Sequence, residues 1–406
     1  MKTRTKIVVA CCFALVIVGL IVGLRGRGHS YPLDPRLVKA DNDFAFKLFR
    51  EVVNGQEDEN IFISPASAAL ALQMTYNGAG KTTKEAMAKA LSLQGMTLDE
   101  VNRASAGLTA LLTDPGRGVR LNTANSLWAN GAKFKPEFLR RTRDSYDADA
   151  FPVQGDPSRK INAWVSRKTK GKITEIAKDI DAAWMLLLMN AVYFKGQWAT
   201  RFDPDRTKDG EFTLANGETK TVPFMHVASK FEYMATPDFQ AVRLPYGKGR
   251  FSMYVFLPDR NSNIGAFLRG LSVRRLEEWI PRFHRGKLHV ALPRFEIRDF
   301  LVDLKGPLQN MGMGIAFGPG ADFSAMTDAG VFIVKVKQKT YVKVNEEGTE
   351  AAAVTVVAMG KGGGGAPPFV VDRPFFFVIR DDKSGLILFM GQIVDPAPDK
   401  PALGRR

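Results

Sequence analysis

The chain has 406 residues, 45% of them hydrophobic and 24% charged, with a formal net charge of +15. That is enough apolar side chain for a large core. The basic excess, 57 Lys and Arg against 42 Asp and Glu, is scattered and accompanies no nucleic-acid motif; it reads as a solvated basic surface that could attract a polyanion or an anionic membrane, and argues against nucleic acid as a partner.

Lys2, Arg4 and Lys6 precede an uncharged apolar run at 7–24, closed by Arg25 and Arg27. The run is longer than the ~7–15 residues of a signal-peptide apolar core and just reaches the length of a membrane span. Residues 1–30 therefore read as a signal peptide, cleaved near Gly28-His29-Ser30, or as an N-terminal anchor. Val8-Val9-Ala10-Cys11 faintly resembles a lipoprotein site. All three fates place the body outside the cytoplasm. Cys11 and Cys12 are the only cysteines, so the body has neither disulfides nor thiolate metal sites, and it has no N-glycosylation sequon.

Residues 37–53 carry Phe44, Leu48, Phe49 and Val52 at helical spacing. Ser64-Pro65 opens an Ala-rich helix over 66–76 that Asn77-Gly78 ends. A further helix is expected at 83–91, a strand at 121–128, helices at 136–146 and 161–168, and a buried strand within 183–194. Several strands alternate with turns over 212–258, a helix follows at 265–279, and strands return at 288–297 and 331–344. No linker and no internal repeat divides the chain. Helices early and strands late give an α+β class.

Residues 345–374 break the pattern. Glu346, Glu347 and Gly348 lead into Thr349-Glu350-Ala351-Ala352-Ala353-Val354-Thr355-Val356-Val357-Ala358, then Met359, Lys361, four glycines and two prolines. At period two, one face is Thr349, Ala351, Ala353, Thr355 and Val357. Such a segment can lie exposed or slide into a sheet with little room. A long loop between strand-like runs in a compact domain is usually functional. The four histidines form no cluster. His284 and His289 read as surface or strand residues, and no serine-elbow, zinc-protease or P-loop motif appears, which argues against an enzyme.

Asn345-Glu346-Glu347-Gly348-Thr349-Glu350-Ala351-Ala352-Ala353 resembles the hinge of the serpins, inhibitors that trap serine proteases. Asp372-Arg373-Pro374-Phe375, Leu388-Phe389-Met390-Gly391-Gln392-Ile393, Asn60-Ile61-Phe62-Ile63-Ser64-Pro65-Ala66-Ser67, Asn190-Ala191-Val192-Tyr193-Phe194-Lys195-Gly196-Gln197-Trp198 and Leu292-Pro293-Arg294-Phe295 agree, in the family's order. The resemblance implies a serpin domain over 37–396, with mixed central sheets, surrounding helices and an exposed reactive-centre loop at about 346–373. A tail would occupy 397–406, and the member would be of bacterial type, secreted or membrane-anchored.

The family mechanism follows as an expectation. A serine protease, or a cysteine protease as a further class, cuts the loop and is held as the acyl-enzyme while the loop inserts into the main sheet. The product is a covalent complex with the target protease. The inhibitor would be monomeric and would need no cofactor and no metal. Non-inhibitory relatives that act as binding or chaperone modules are the alternative. Residues 348–359 as a strand would span about 40 Å. Ladders on both sides, at ~1 kcal/mol net per bond, would release on the order of 10 kcal/mol, comparable with a domain's whole stability. Thr349, small and uncharged, and the alanines after it favour an inhibitor. The reactive bond is taken as Lys361-Gly362, suiting a trypsin-like pocket, with Gly362-Gly363 and Met359-Gly360 as alternatives. By resemblance, Ser64, Ser67 and Asn190 form a polar cluster where the sheet opens, Gln338 stands near a position that is often histidine, and Trp198 lies beneath the start of the loop.

Overall fold

The computed structural model describes residues 33–178, 180–181, 183–349 and 367–396. The segment 1–30, the tail 397–406, and Glu350, Ala351, Ala352, Ala353 and all three candidate bonds around Lys361 lie outside the described residues. Helix α1 (Pro35–Val53) begins where the Asp34 carboxylate accepts from Arg36 N at 2.9 Å, with proline in the first turn, and buries Phe44, Leu48, Phe49 and Val52. Strand β1 (Ile61–Ile63) follows. Helix α2 (Pro65–Tyr76) is buried along its whole length. Its alanines let it pack against strands of both sheets. Helix α3 (Lys81–Ala90) comes next.

Leu98–Thr113 forms α4, a helix that the sequence expectations omit. Its start is written in a capping box, with Thr97 and Glu100 satisfying each other's backbone N–H groups. The chain continues through β2 (Val119–Asn130), α5 (Pro136–Tyr146), β3 (Asp149–Val153), α6 (Ser158–Lys168) and β4 (Leu186–Gln197). Strands β5 (Lys208–Thr213), β6 (Thr219–Ala235), β7 (Phe239–Tyr246) and β8 (Phe251–Pro258) occupy the expected all-strand stretch. The single helix expected at 265–279 is two, α7 (Ile264–Arg269) and α8 (Val273–Trp279). Gly270 ends the first, and Ser272 caps the second by accepting from Arg275 N. The remaining strands are β9 (His284–Pro293), β10 (Phe295–Asp303), β11 (Ile333–Asn345), β12 (Gly348–Thr349), β13 (Pro368–Val370), β14 (Phe375–Asp381) and β15 (Ile387–Ile393).

Two sheets result. One has nine strands in the order β1-β15-β14-β8-β7-β6-β9-β13, with β5 on β6. The other has six in the order β10-β11-β12-β4-β2-β3. The main core fills the space between them, and Phe62, Phe377, Phe389, Phe194 and Phe256 lie in it. On the opposite face of the six-stranded sheet, α6 and the following segment build a second core. There Trp164, Ile173, Ile176 and Ile180 meet Leu187, Met189 and Ala191 of β4 and Trp128 of β2.

A buried carboxyl sits at the junction of α1, α2 and α4. Asp41 Oδ1 accepts from Gln73 Nε2 at 2.7 Å, Gln73 Oε1 accepts from Ser105 Oγ at 3.0 Å, and Asp41 Oδ2 has no partner. Burial pushes the carboxyl up to about 8, against the lowering effect of Gln73. The folded pKa thus lies above the unfolded one. Between about pH 4 and 8 the unfolded chain has released this proton and the folded chain keeps it, so stability falls as pH rises, by about 1.4 kcal/mol per pH unit at most. Asp41→Asn should remove this slope. Its denaturation midpoint should gain steadily on the wild type from pH 5 to pH 7.5, and parallel midpoints would contradict the assignment.

Candidate functional site: the hinge and the sheet seam

The centre of the six-stranded sheet has two regimes. Residues 333–341 of β11 pair in parallel with 186–193 of β4. Above that zone the two strands part, and β12 stands between them, antiparallel to both. Thr349 lies opposite Val344 and Gly196, and Gly348 lies opposite Asn345 and Gln197. Between the zones, Val342 and Lys343 face Phe194 and Lys195 across a gap that no strand fills among the described residues. The seam is closed below and wedged open above.

Local chemistry sets the wedge. The chain reverses at Glu346 and Glu347, and Gly348 takes φ +151°, where a Cβ would stand 2.0 Å from Gly196 O. Thr349 is fully buried, and its hydroxyl meets the Tyr246 hydroxyl at 2.8 Å. Tyr246 lies stacked on Trp198, with ring centroids 4.5 Å apart, and edge-on to Phe194. Its ring fits because Gly196 has no side chain: a Cβ there would come within 2.7 Å of it. Burial raises the Tyr246 hydroxyl well above the ordinary tyrosine range, so it stays protonated as a hydrogen-bonding group.

The turn before β12 is held on three sides. Trp198 Nε1 donates to Asn345 O at 2.9 Å, Trp198 N to Glu347 O at 3.0 Å, and Phe202 N to Glu346 O at 3.0 Å. The buried Glu346 carboxylate accepts from Arg294 Nε at 2.6 Å and from the Thr207 hydroxyl.

Lower in the seam, Gln338 of β11 and Asn190 of β4 are directly paired. Gln338 Nε2 donates to Asn190 Oδ1 at 2.5 Å and to Ser64 O at 2.9 Å, and Gln338 Oε1 accepts from Ser64 N at 2.9 Å. Asn190 Nδ2 donates to Ser67 Oγ and Asn125 Oδ1, both at 2.5 Å. Ser64 Oγ donates to Leu388 O at 2.9 Å. This network is buried and ties β11, β4 and β2 to the start of α2 and to β15.

The structure thus gathers Ser64, Ser67, Asn190 and Gln338 into one cluster. It places Trp198 at the hinge turn, with Glu346, Glu347, Gly348 and Thr349. Sequence reasoning missed Tyr246, Thr207 and Asn125, which no local pattern marks. Arg294 sat within a quoted block without a role.

Residues 39–396 match the family described as Serpin (serine protease inhibitor). The chain belongs to the serpin family. It is 37% identical to the leukocyte elastase inhibitor of Bos taurus and 36% to serpin B8 of Homo sapiens, over 89% of this chain and 100% and 99% of theirs. The native state of Tengpin, a thermophilic serpin, superposes with a TM-score of 0.83 at 30% identity, covering 90% of this chain and 95% of that one. Native protease nexin-1 with heparin gives 0.81 at 28%, covering 89% of this serpin and 100% of nexin. The expected α+β serpin fold is therefore right. The relatives named give the bacterial affiliation no support, nor do they support export. Among the described residues no helix is long and apolar enough to cross a membrane; the expected anchor lies outside them.

Gln338→Ala would leave Ser64 N and Asn190 Oδ1 without their partner in a buried site, while Ser64 O keeps its bond from Ala68 N. At ~1 kcal/mol or more for each orphaned group, equilibrium denaturation should show a loss of about 2 kcal/mol. A loss below ~0.5 kcal/mol would mean that the cluster does not hold the seam.

Proposed function

We propose that this serpin is a suicide inhibitor of serine proteases whose reactive loop enters the seam between β11 and β4. The observation that carries this reading is the wedge: Gly348–Thr349 already occupies the first rung of the position a new central strand would take. Continuing the same antiparallel register, each further loop residue descends one step along both neighbours. Glu350 would stand between Lys195 and Lys343 on the outer face, its charge compensated. Ala351 would fall between Phe194 and Val342, Ala353 between Val192 and Thr340, and Thr355 between Asn190 and Gln338. Small side chains fall where the inner face is buried, and a hydroxyl falls where the polar cluster must be re-satisfied.

The chemistry is acyl transfer that stops half-way. The protease serine attacks the Lys361 carbonyl, an ester forms, and the Gly362 amine leaves. Insertion of the freed strand then outruns hydrolysis of the ester. The driving force is the net gain in strand pairing, two ladders in place of the one that β11 and β4 share in the intact chain, on the order of 10 kcal/mol. The closed lower seam holds that free energy back while the loop is intact. The apolar run at 7–24 between basic flanks supports an extracytoplasmic location, secreted or anchored. Monomeric action fits the one-to-one complex.

Mixing with trypsin should give a covalent band at the summed mass that survives hot detergent, and mass spectrometry should find the new terminus at Gly362, a cut that elastase should not make. Cleavage without such a band would favour a non-inhibitory binding module, and cleavage only outside 358–364 would refute the bond. Thr349→Arg, which puts a charge into the buried slot under Tyr246, should turn the inhibitor into a substrate. Complex yield should fall at least tenfold while cleavage continues, and an unchanged yield would count against insertion through this slot.

A further inference from the structure

The outward face of β6 and β9 is crowded with positive charge, four side chains of which form no ion pair among the described residues. Lys230 and Lys287 lie directly opposite each other in the antiparallel ladder, both exposed. Like charges so placed repel and destabilise the pair. On the same face, His226 and His289 stack with ring centroids 5.3 Å apart. Lys208 of β5 is near enough, with His289, to disfavour protonation of His226, although burial is the larger cause. Arg285 extends the face at the far end, opposite Glu232. The Glu232 carboxylate is bound by Arg243 at 2.7 Å. None of Lys208, Lys230, Arg285 and Lys287 has an ion-pair partner among the described residues.

The position of this patch gives it meaning. Strand β13 continues the same sheet, pairing in parallel with β9, Pro368 beside His289 and Val370 beside Ala291. It is the first described element after the reactive loop. Lys361 precedes Pro368 by seven residues, at most about 25 Å of chain, so a protease seated on the reactive bond stands over this face. Pro368 is exposed, and Val370, at 39% exposure, is one of two large apolar residues left open on the described surface. Cations around an apolar spot suit a folded protein surface better than a uniform polyanion.

We propose that the face formed by Lys208, His226, Lys230, Arg285, Lys287 and His289 is an exosite that steers proteases with an acidic surface onto the reactive loop. This rests on the reading of the chain as an inhibitor cut at 361–362. The site acts on encounter, by long-range attraction that salt screens. It leaves the partition between trapping and release untouched, because that step takes place in the seam of the other sheet.

Two trypsin isoforms of opposite net surface charge and the same specificity pocket test the site. The intact protein should associate with the anionic isoform about tenfold or more faster than with the cationic one at low salt, and the difference should shrink between 50 and 300 mM NaCl. Lys230→Glu with Lys287→Glu should abolish or invert that preference. The stoichiometry of inhibition should not change, nor should the melting temperature, since both side chains are exposed. Equal rates for the two isoforms, or a preference that survives the double substitution, would overturn the proposal. If the loop is cut without a covalent complex, the inhibitor reading fails, but the rate of cutting still reports the encounter and decides the exosite in the same way.

Discussion

Everything in this serpin depends on one pair of neighbouring strands, β11 and β4, which must hold together and yet be separable. Parallel pairing over 333–341 and 186–193 supplies backbone bonds. What lies beneath the midpoint of that pairing is a set of side-chain hydrogen bonds through Gln338, Asn190, Ser64 and Ser67. Such bonds are directional and worth about 1 kcal/mol net each, and an arriving strand with polar groups can replace them. An apolar interlock at the same place would lose its packing outright on separation. The polar seam therefore combines a defined closed state with a low barrier to exchange of partners.

The upper end of the seam shows how the exchange is prepared. Two glycines and three aromatic rings shape the slot. Gly348 lets the chain turn against Gly196 O, Gly196 admits the Tyr246 ring, and Trp198 covers it. The Arg294 ion pair with Glu346 and the Trp198 bond to Asn345 O fix the direction in which the chain leaves β11. The first loop residue is thus held in strand register by contacts that do not involve the rest of the loop.

Much of this was legible in the sequence, and for identifiable reasons. The alternation of Thr349, Ala351 and Ala353 with their neighbours marked a segment able to enter a sheet, and the blocks around Asn190, Ser64 and Arg294 carried the family resemblance. Helix α4 was signposted by Thr97 and Glu100, but its apolar face is diluted by Asn102, Ser105 and Gly107, and periodicity alone missed it. The break within 265–279 lay in Gly270 and Ser272, punctuation that the apolar spacing outweighed. Tyr246 could not be read at all. Its role comes from standing opposite a residue 103 positions away, across a contact between the two sheets.

The second core has a mechanical corollary. Leu187, Met189 and Ala191 on the outer side of β4 lie under Ile173, Ile176 and Ile180, whereas their ladder neighbours on β11 are Lys335, Lys337 and Lys339. The greasy blanket over this sheet thus has its hem along the line where the sheet must part. When a new strand arrives, α6 can ride with β2 and β4 as a single plate, while β11 slides away with its half-buried lysines. The fault line leaves that core with β4 and gives up the packing of Val334 against it and the stacking of Tyr341 on Tyr193.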